Sequence, residues 1–419
     1  MRENAILISA NLNGEPHFEQ LMEELENLVH ACDMTCTSHY TQNLKNVNAA
    51  TYIGEGKVDE VRLAAEALKA DVVVFNHELS PKQQRNLENI LQVPVLDRTA
   101  LILEIFSLRA KTREAKLQVE LAEMQYLLPR LAGSYTSLGR QRGGKNKGTG
   151  EKKIELDKRR AEEKIHELKM ALEGIQSERT TQRKRRRDSD EKTIALVGYT
   201  NAGKSTLLNA FIQGQKGHFD KMVFEKDMLF ATLDTSVRKV TLPNRRKVIM
   251  SDTVGFVSHL PHGLVKAFGS TLEEVRDADL LLHVIDVSNP DYALQMKVTE
   301  ETLKEIGALD VPRINVYNKA DRIEKEIPCR VNEGIYVSAK KGIGLDFIAK
   351  EVSDILFQDE IHCILHVPFT EGALVSYLNE NAFVSESSHD EAGTRLNLSC
   401  SPAVFDKVKA YAIIEVQAE

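Results

Sequence analysis

The residues best equipped for chemistry lie in one octet, Gly198-Tyr199-Thr200-Asn201-Ala202-Gly203-Lys204-Ser205, which matches G-x-x-x-x-G-K-[ST] in full. Glycines let successive backbone N–H groups converge on phosphate oxygens, and a helix that opens there adds the positive end of its dipole. Lys204 can bridge the β- and γ-phosphates of a nucleoside triphosphate, and the Ser205 hydroxyl can ligate Mg2+. Thr206 follows in the same first turn. The octet comes after an apolar strand, TIALVG, and opens a helix, STLLNAFI, the context a phosphate-binding loop requires.

Three more motifs follow, each at a strand end. Asp252-Thr253-Val254-Gly255 comes after KVIMS. Asp252 is placed to hold Mg2+ through water, and the Gly255 N–H to meet a γ-phosphate. The next residue is Phe256, where many GTP-hydrolysing enzymes carry a glutamine that aligns the attacking water. A phenyl ring cannot hold a water. RINVYNKAD (313–321) ends in Asn318-Lys319-Ala320-Asp321. The Asp321 carboxylate can accept from guanine N1–H and the exocyclic amine, donors that adenine lacks there. Lys319 can lie over the purine, and Asn318 can tie loops together. GIYVSAK (334–340) brings Ser338, Ala339 and Lys340, with the Ala339 N–H expected at guanine O6. This order of motifs points to GTP, hydrolysed to GDP and phosphate, and is similar to a translation-factor-like GTPase domain over 193–357. Such an enzyme also needs a mobile threonine between the first two motifs to sense the γ-phosphate. FATLDT (230–235) offers Thr232 and Thr235.

The elements that must position these residues read as α/β. In 1–98, AILIS (5–9), DVVVFN (71–76) and VPVLD (93–97) are strands between helical patterns, which predicts a mostly parallel, helix-covered sheet. Ser80-Pro81 reads as an N-cap with proline in the first turn. From 99 to 187 the period changes: Leu117, Leu121, Met124, Leu128 and Leu131, then Ile154, Ala161, Ile165, Leu168, Leu172 and Ile175, predict two long helices packed as a hairpin. Glycines at 133, 139, 143, 144, 148 and 150 predict a flexible loop over 132–150 at its tip, since each costs ~1 kcal/mol in a helix relative to alanine. A linker, 188–192, precedes the GTPase domain. Residues 358–419 read as a small α+β domain.

Net charge is −7, so the chain as a whole does not attract nucleic acid, but 130–150 holds Arg130, Arg140, Arg142, Lys145 and Lys147 with no acidic residue, and 183–187 reads RKRRR. The first is a candidate phosphate-binding surface. Five cysteines argue against a disulfide framework. Cys32 and Cys36 lack a second Cys/His pair, and His362-Cys363-Ile364-Leu365-His366 reads as an alternating strand. No apolar run approaches the ~18–20 residues that would cross a bilayer, and the first residues lack a secretory h-region. A cytoplasmic monomer with no stable membrane insertion is the expectation.

DRTALILEIFSLRAKTREAKLQVELAEMQYLLPRL (97–131), RQRGG (140–144) and GTGEKKIELDKRR (148–160) resemble the HflX family of ribosome-associated GTPases, and GYTNAGKSTLLNA and DTVGF are similar to it as well. The resemblance implies binding of GTP and the large (50S) ribosomal subunit, and separation of stalled or idle 70S ribosomes. It also implies that loop 132–150 reaches toward the peptidyl-transferase region, which makes Arg140, Arg142, Lys145 and Lys147 candidate rRNA contacts. Lys147-Gly148-Thr149-Gly150-Glu151 departs from a longer tip common in the family, ending R-G-P-G-E. Related GTPases place threonine just before the leucine of FATLDT, which selects Thr232 as the third Mg2+ group beside Ser205 and Asp252. Several GTPases with G-x-x-N-x-G-K-[ST] use that asparagine to hold K+, which would make Asn201 a catalytic aid beside Lys204, Thr232 and Gly255 in an enzyme slow alone and stimulated by the ribosome. Two alternatives remain: a large-subunit assembly GTPase, or an ATP-driven RNA remodeller. The second would use Gly54-Glu55-Gly56-Lys57, which reads equally as a tight turn before a helix.

Overall fold

The computed structural model describes residues 3–134, 147–188, 191–213, 229–230, 233, 236–242, 246–259, 269–331 and 334–416; at 132–134, 147–154, 178–188, 269–271 and 414–416 only the backbone is described.

The chain begins with β1 (Asn4–Leu12), α1 (Phe18–Ala31), β2 (Thr35–Leu44), α2 (Glu55–Leu68), β3 (Val72–Phe75), α3 (Pro81–Leu91) and β4 (Val95–Leu96). These strands form a parallel sheet in the order β2-β1-β3-β4. Strand β3 is four residues, all buried, as its unbroken valine run implies. Strand β2 was not legible: TCTSHYTQNL has no apolar run, and its place at the sheet edge rests on backbone pairing with β1. Helix α3 opens as expected, with Ser80 accepting from Gln83 N, the Gln83 side chain answering at the Ser80 N–H, and Pro81 in the first turn. Gly54-Glu55-Gly56-Lys57 enters α2, with Gly54 as N-cap and Lys57 paired to Glu60 at 2.6 Å.

Helix α4 (Arg98–Arg109) leads into the hairpin of α5 (Arg113–Ser134) and α6 (Lys147–Asp188). Ala161 and Leu168 of α6 and Leu121 of α5 are buried, and Lys164 pairs with Glu120 at 3.1 Å. The helices run further into the tip than the glycines suggested. Pro129 and Gly133 lie inside α5, and Gly148 and Gly150 inside α6. Long helices with packed stems carry a weak former at their ends at a cost of ~1 kcal/mol each. Arg130 also departs from expectation. It donates to the buried Asp97 at 3.0 Å, to Gln84 Oε1 and to the Leu79 carbonyl, and stacks on Tyr126, so it fastens the hairpin to the first sheet and is no phosphate ligand.

The central part comprises β5 (Thr193–Val197), α7 (Lys204–Gln213), β6 (Ser236–Thr241), β7 (Lys247–Asp252), α8 (Gly269–Arg276), β8 (Leu280–Asp286), α9 (Tyr292–Glu305), β9 (Arg313–Asn318), β10 (Cys329–Val331), β11 (Gly334–Tyr336) and α10 (Leu345–Leu356). The sheet order is β10-β11-β9-β8-β5-β7-β6, parallel except for its two edge strands. Strand β5 has β8 on one side and β7 on the other, so the chain departs in opposite directions around it. In doubly wound sheets a crevice opens at the carboxyl ends of such strands.

The last part, β12 (Ile361–Pro368), α11 (Gly372–Asn381), β13 (Phe383–His389), β14 (Gly393–Cys400), α12 (Pro402–Val408) and β15 (Ala412–Val416), is an antiparallel sheet in the order β13-β14-β12-β15 with helices packed on it. Strand β12 alternates, with Cys363, Leu365 and Val367 buried. The Arg246 guanidinium pairs with Glu360 and lies over the Phe357 and Phe383 rings, joining this sheet to the central one. Among the described residues no helix is long and apolar enough to cross a membrane.

Candidate nucleotide site

The motif loops meet at the carboxyl ends of β5, β7 and β9 and the loop after β11. Gly198 ends β5 with φ 142°, and a Cβ there would lie 2.2 Å from the Val284 carbonyl oxygen, so only glycine can make this turn beside β8. Gly203 has φ 94°, and a Cβ on it would lie 2.3 Å from Asn318 Nδ2. Between them, Tyr199, Thr200 and Ala202 are buried, while Asn201 is exposed at the rim in the left-handed region, φ 60°. Thr206 sits half-buried in the first turn of α7.

Lys204 is buried beneath the loop, and its ammonium donates to the carbonyls of Gly198 at 3.0 Å and Tyr199 at 2.8 Å. Burial pulls its pKa down to about 8, partly opposed by Asp252, so it still carries its charge at neutral pH. Ser205 Oγ donates to Asp252 Oδ2 at 2.6 Å. Asp252 is fully buried, and its other oxygen, Oδ1, has no hydrogen-bond partner. A buried carboxylate oxygen without a donor beside a serine hydroxyl is a costly arrangement for a fold alone. It fits a hard cation that prefers oxygen ligands.

Gly255 packs directly on the phosphate loop: a Cβ on it would lie 2.7 Å from Thr200 Cα and 3.0 Å from Lys204 Nζ. The next residue continues this contact through its backbone. Phe256 N donates to the Gly198 carbonyl at 3.2 Å, and Phe256 O accepts from Thr200 N at 2.8 Å. Its ring points the other way, into a core of Ala195, Val197, Leu272, Val275, Leu281 and Leu303. Phe256 is therefore a core residue whose main chain braces the phosphate loop, and its side chain is remote from any water there.

Asn318 is the strut of the base side. Its Nδ2 donates to the Ala202 carbonyl at 2.9 Å, and its Oδ1 accepts from the Ala339 N–H at 3.0 Å. Here the structure differs from expectation: the Ala339 amide, assigned to guanine O6, is bonded to Asn318, because a buried amide and a buried carboxamide oxygen satisfy each other. Lys319, at φ 59°, is held by Asp286 at 2.8 Å. Asp286 was missed in the sequence, although its position at the end of LLLHVID, one strand from Asn318, was a usable signal. Asp321 is held below the usual carboxylate range first by a hydrogen bond from Ser338 and further by Lys341, at 3.3 Å. Ser338 is fully buried, Ala339 nearly so, and Lys340 exposed.

Thr232 and Thr235 lie outside the described residues, as do Arg140, Arg142 and Lys145; Lys147 is described only as the backbone start of α6. The neighbours of Thr232 are informative. Phe230 and Leu233 are buried in a cluster with Leu7, Leu25, Ile102 and Phe106 of the N-terminal part and with Tyr199, Val254 and Val257. Phe106 and Phe230 meet edge to face at 4.7 Å. The Tyr199 hydroxyl bonds Glu24 and Ser258. Composition and periodicity carry no signal for these contacts, since each joins residues far apart in the chain.

Comparison with known proteins gives three consecutive family matches: "GTP-binding GTPase N-terminal" at 19–107, "GTP-binding GTPase Middle Region" at 109–186, and "50S ribosome-binding GTPase" at 193–319. The chain is 42% identical to the GTPase HflX of Caldanaerobacter subterraneus over 98% of this chain and 94% of that one. It is 36% identical to the GTPase HflX of Escherichia coli over 94% and 92%. A GTP-binding protein from Sulfolobus solfataricus, solved in complex with GDP, is 24% identical with a TM-score of 0.45, covering 85% of this chain and 99% of that one.

Proposed function

The chain belongs to the HflX family of GTPases, and from that premise we propose that it binds GTP at the crevice around β5, hydrolyses it, and uses its helical hairpin to engage the large ribosomal subunit and separate 70S ribosomes. One observation supports the nucleotide half above others. A single buried side chain, Asn318, bonds both the phosphate loop and the Ser338-Ala339-Lys340 loop, so the phosphate end and the base end are held in register.

In this reading Gly198 to Thr206 wrap the phosphates, with Lys204 supplying positive charge from below. Asp321 recognises the guanine edge, and Lys319, fixed by Asp286, lies over the ring. Ser205 and Asp252 would hold Mg2+, with Thr232 closing over it; when bound, the ion neutralises phosphate charge and orients the triphosphate. Phosphoryl transfer depends on positioning and charge, so a slow enzyme needs no side-chain base. Phe256 lies in the core and holds no water, which leaves water alignment to the main chain around Gly255 and to loops ordered on the ribosome. Asn201, exposed at the rim, is the group for K+. Equal GTP turnover in Na+ and K+ buffers would remove that role.

The ribosomal half draws on the family description and on the length of the hairpin. A 42-residue helix, α6, spans about 63 Å at 1.5 Å per residue, long enough to carry the basic tip away from the nucleotide site. Arg140, Arg142, Lys145 and Lys147 would meet rRNA phosphates there. The deciding experiment is sedimentation of purified 70S ribosomes with the chain and a non-hydrolysable GTP analogue. Conversion to 30S and 50S peaks supports splitting; intact 70S sinks it and leaves the assembly role.

A further inference from the structure

Ser258, three residues past Gly255, has all of its polar groups held by other elements. Its N–H donates to the Tyr199 hydroxyl oxygen at 2.8 Å, and its Oγ lies 2.7 Å from the same oxygen. Its carbonyl accepts from Arg98 at 2.9 Å. The Tyr199 hydroxyl also lies 2.7 Å from Glu24 Oε2. An ionised carboxylate only accepts, so tyrosine donates to Glu24 and accepts from the Ser258 N–H and Oγ–H, which fills its capacity. Glu24 is itself paired with Arg98, and Arg98 reaches on to Asn76 Oδ1 at 2.7 Å. The side chains of Arg98 and Glu24 are 3% and 11% exposed, so this ion pair is desolvated and rigidly placed. Burial, then the Glu24 charge, raises the Tyr199 pKa far above the ordinary phenol range, so the donor proton stays in place.

Both elements that supply the pair, α1 and α4, also cover the apolar side of the nucleotide loops. Leu25, Ile102 and Phe106 share one cluster with Tyr199, Phe230, Leu233, Val254 and Val257. The loop carrying Gly255 is thus fixed from two directions: to the phosphate loop by its own backbone, and to the N-terminal part through Tyr199 and Ser258.

We propose that Glu24 and Arg98, acting through Tyr199 and Ser258, are positioning residues for 254–258, so that the N-terminal part sets how strongly the site prefers GTP to GDP. This rests on the nucleotide reading above. A diphosphate needs the phosphate loop and the base loops, whereas a γ-phosphate also needs the Gly255 amide. The network keeps Gly255 against Thr200 and near Lys204, so two groups that would grip a γ-phosphate converge before it binds. Ordering a loop on binding costs affinity, and a preformed one avoids that cost.

The test is titration of the full chain with fluorescent mant-GDP and with a mant-labelled non-hydrolysable GTP analogue. E24Q deletes only the charge of the buried pair, and S258A only the hydroxyl beside Tyr199. Each is expected to weaken the analogue by about tenfold, the scale of one strong hydrogen bond, while GDP affinity stays within about twofold. The double variant is expected to be no worse than about the single ones, because the atoms form one chain of bonds. An equal loss for both nucleotides overturns the proposal, as does an unchanged ratio or a tighter analogue. Should E24Q fold poorly, S258A asks the same question from the other end of the chain of bonds. Failure of the unaltered chain to bind either nucleotide refutes the nucleotide reading itself, which a flat ratio does not.

Discussion

Replacing Asn318 by alanine tests the strut directly. Asn318 is 2% exposed, and its two bonds, 2.9 Å to the Ala202 carbonyl and 3.0 Å from the Ala339 amide, end on residues that are buried too. Truncation strands one acceptor and one donor, at about 1–3 kcal/mol each. The sum is about 2–6 kcal/mol, a large share of the roughly 5–15 kcal/mol that stabilises a domain. Asn318→Asp is the sharper variant. It keeps an acceptor for the Ala339 amide but turns a carboxylate oxygen on the Ala202 carbonyl, so it should be at least as damaging despite its matching shape. The chain has no tryptophan, so urea unfolding is followed by circular dichroism, using the transition that GDP shifts. GDP affinity is measured in parallel and should fall at least about tenfold, because the two ends of the site lose their registration. N318A within about 0.5 kcal/mol of the parent, with GDP affinity unchanged, would refute the reasoning, since 0.5 kcal/mol lies below the cost of even one stranded group.

Three further outcomes follow from the same geometry. Phe256→Gln, which restores the residue found in many GTP hydrolases, should cost about 3 kcal/mol or more and leave hydrolysis no faster, because the side chain enters the core around Val197 and Leu281; faster turnover in a stable variant would show the ring faces the nucleotide. Gly255→Ala should weaken binding of a GTP analogue more than GDP, since its Cβ meets Thr200 backbone at 2.7 Å and must push the loop away; equal affinities for both nucleotides relative to the parent would contradict this. Burial lowers the His283 pKa from 6.5 to about 4, so the folded chain keeps this ring neutral while the unfolded chain takes up a proton as pH falls below ~6.5; stability should drop between pH 6.5 and 4, by about 2 kcal/mol at pH 5 from this group, and a flat stability profile, or one that His283→Asn leaves equally steep, would count against it.

Much of the nucleotide site was legible because its chemistry is local. A phosphate loop needs its glycines, lysine and serine within one turn, and the Asn-Lys-Ala-Asp motif needs one strand end, so contiguous residues carry the signal. The structure brings Gly198, Gly203, Lys204, Ser205, Asp252 and Asn318 together at the carboxyl ends of β5, β7 and β9. Strand β2 was not legible, since an edge strand of polar residues has no period to detect. Arg130 looked like part of a basic surface and proved to be a fastening of the hairpin, because charge along a chain does not reveal which side chains are buried.

By itself the sequence determined the nucleotide, the order of the strands' loops and the resemblance to a GTPase family, since these follow from residue types at short spacing. Only the tertiary structure decided what Phe256 is. Its type excluded a water-holding role, but the direction of its ring depends on six core residues from four other elements. The same holds for Tyr199, which the motif leaves as an unspecified x, and for Glu24 and Arg98, which belong to no nucleotide motif. Their meaning comes from a contact across 175 residues of chain, between Tyr199 and Glu24, and another across 160, between Arg98 and Ser258. Hydrogen bonds between such distant residues exist only once two folded parts have packed, and no local pattern records them.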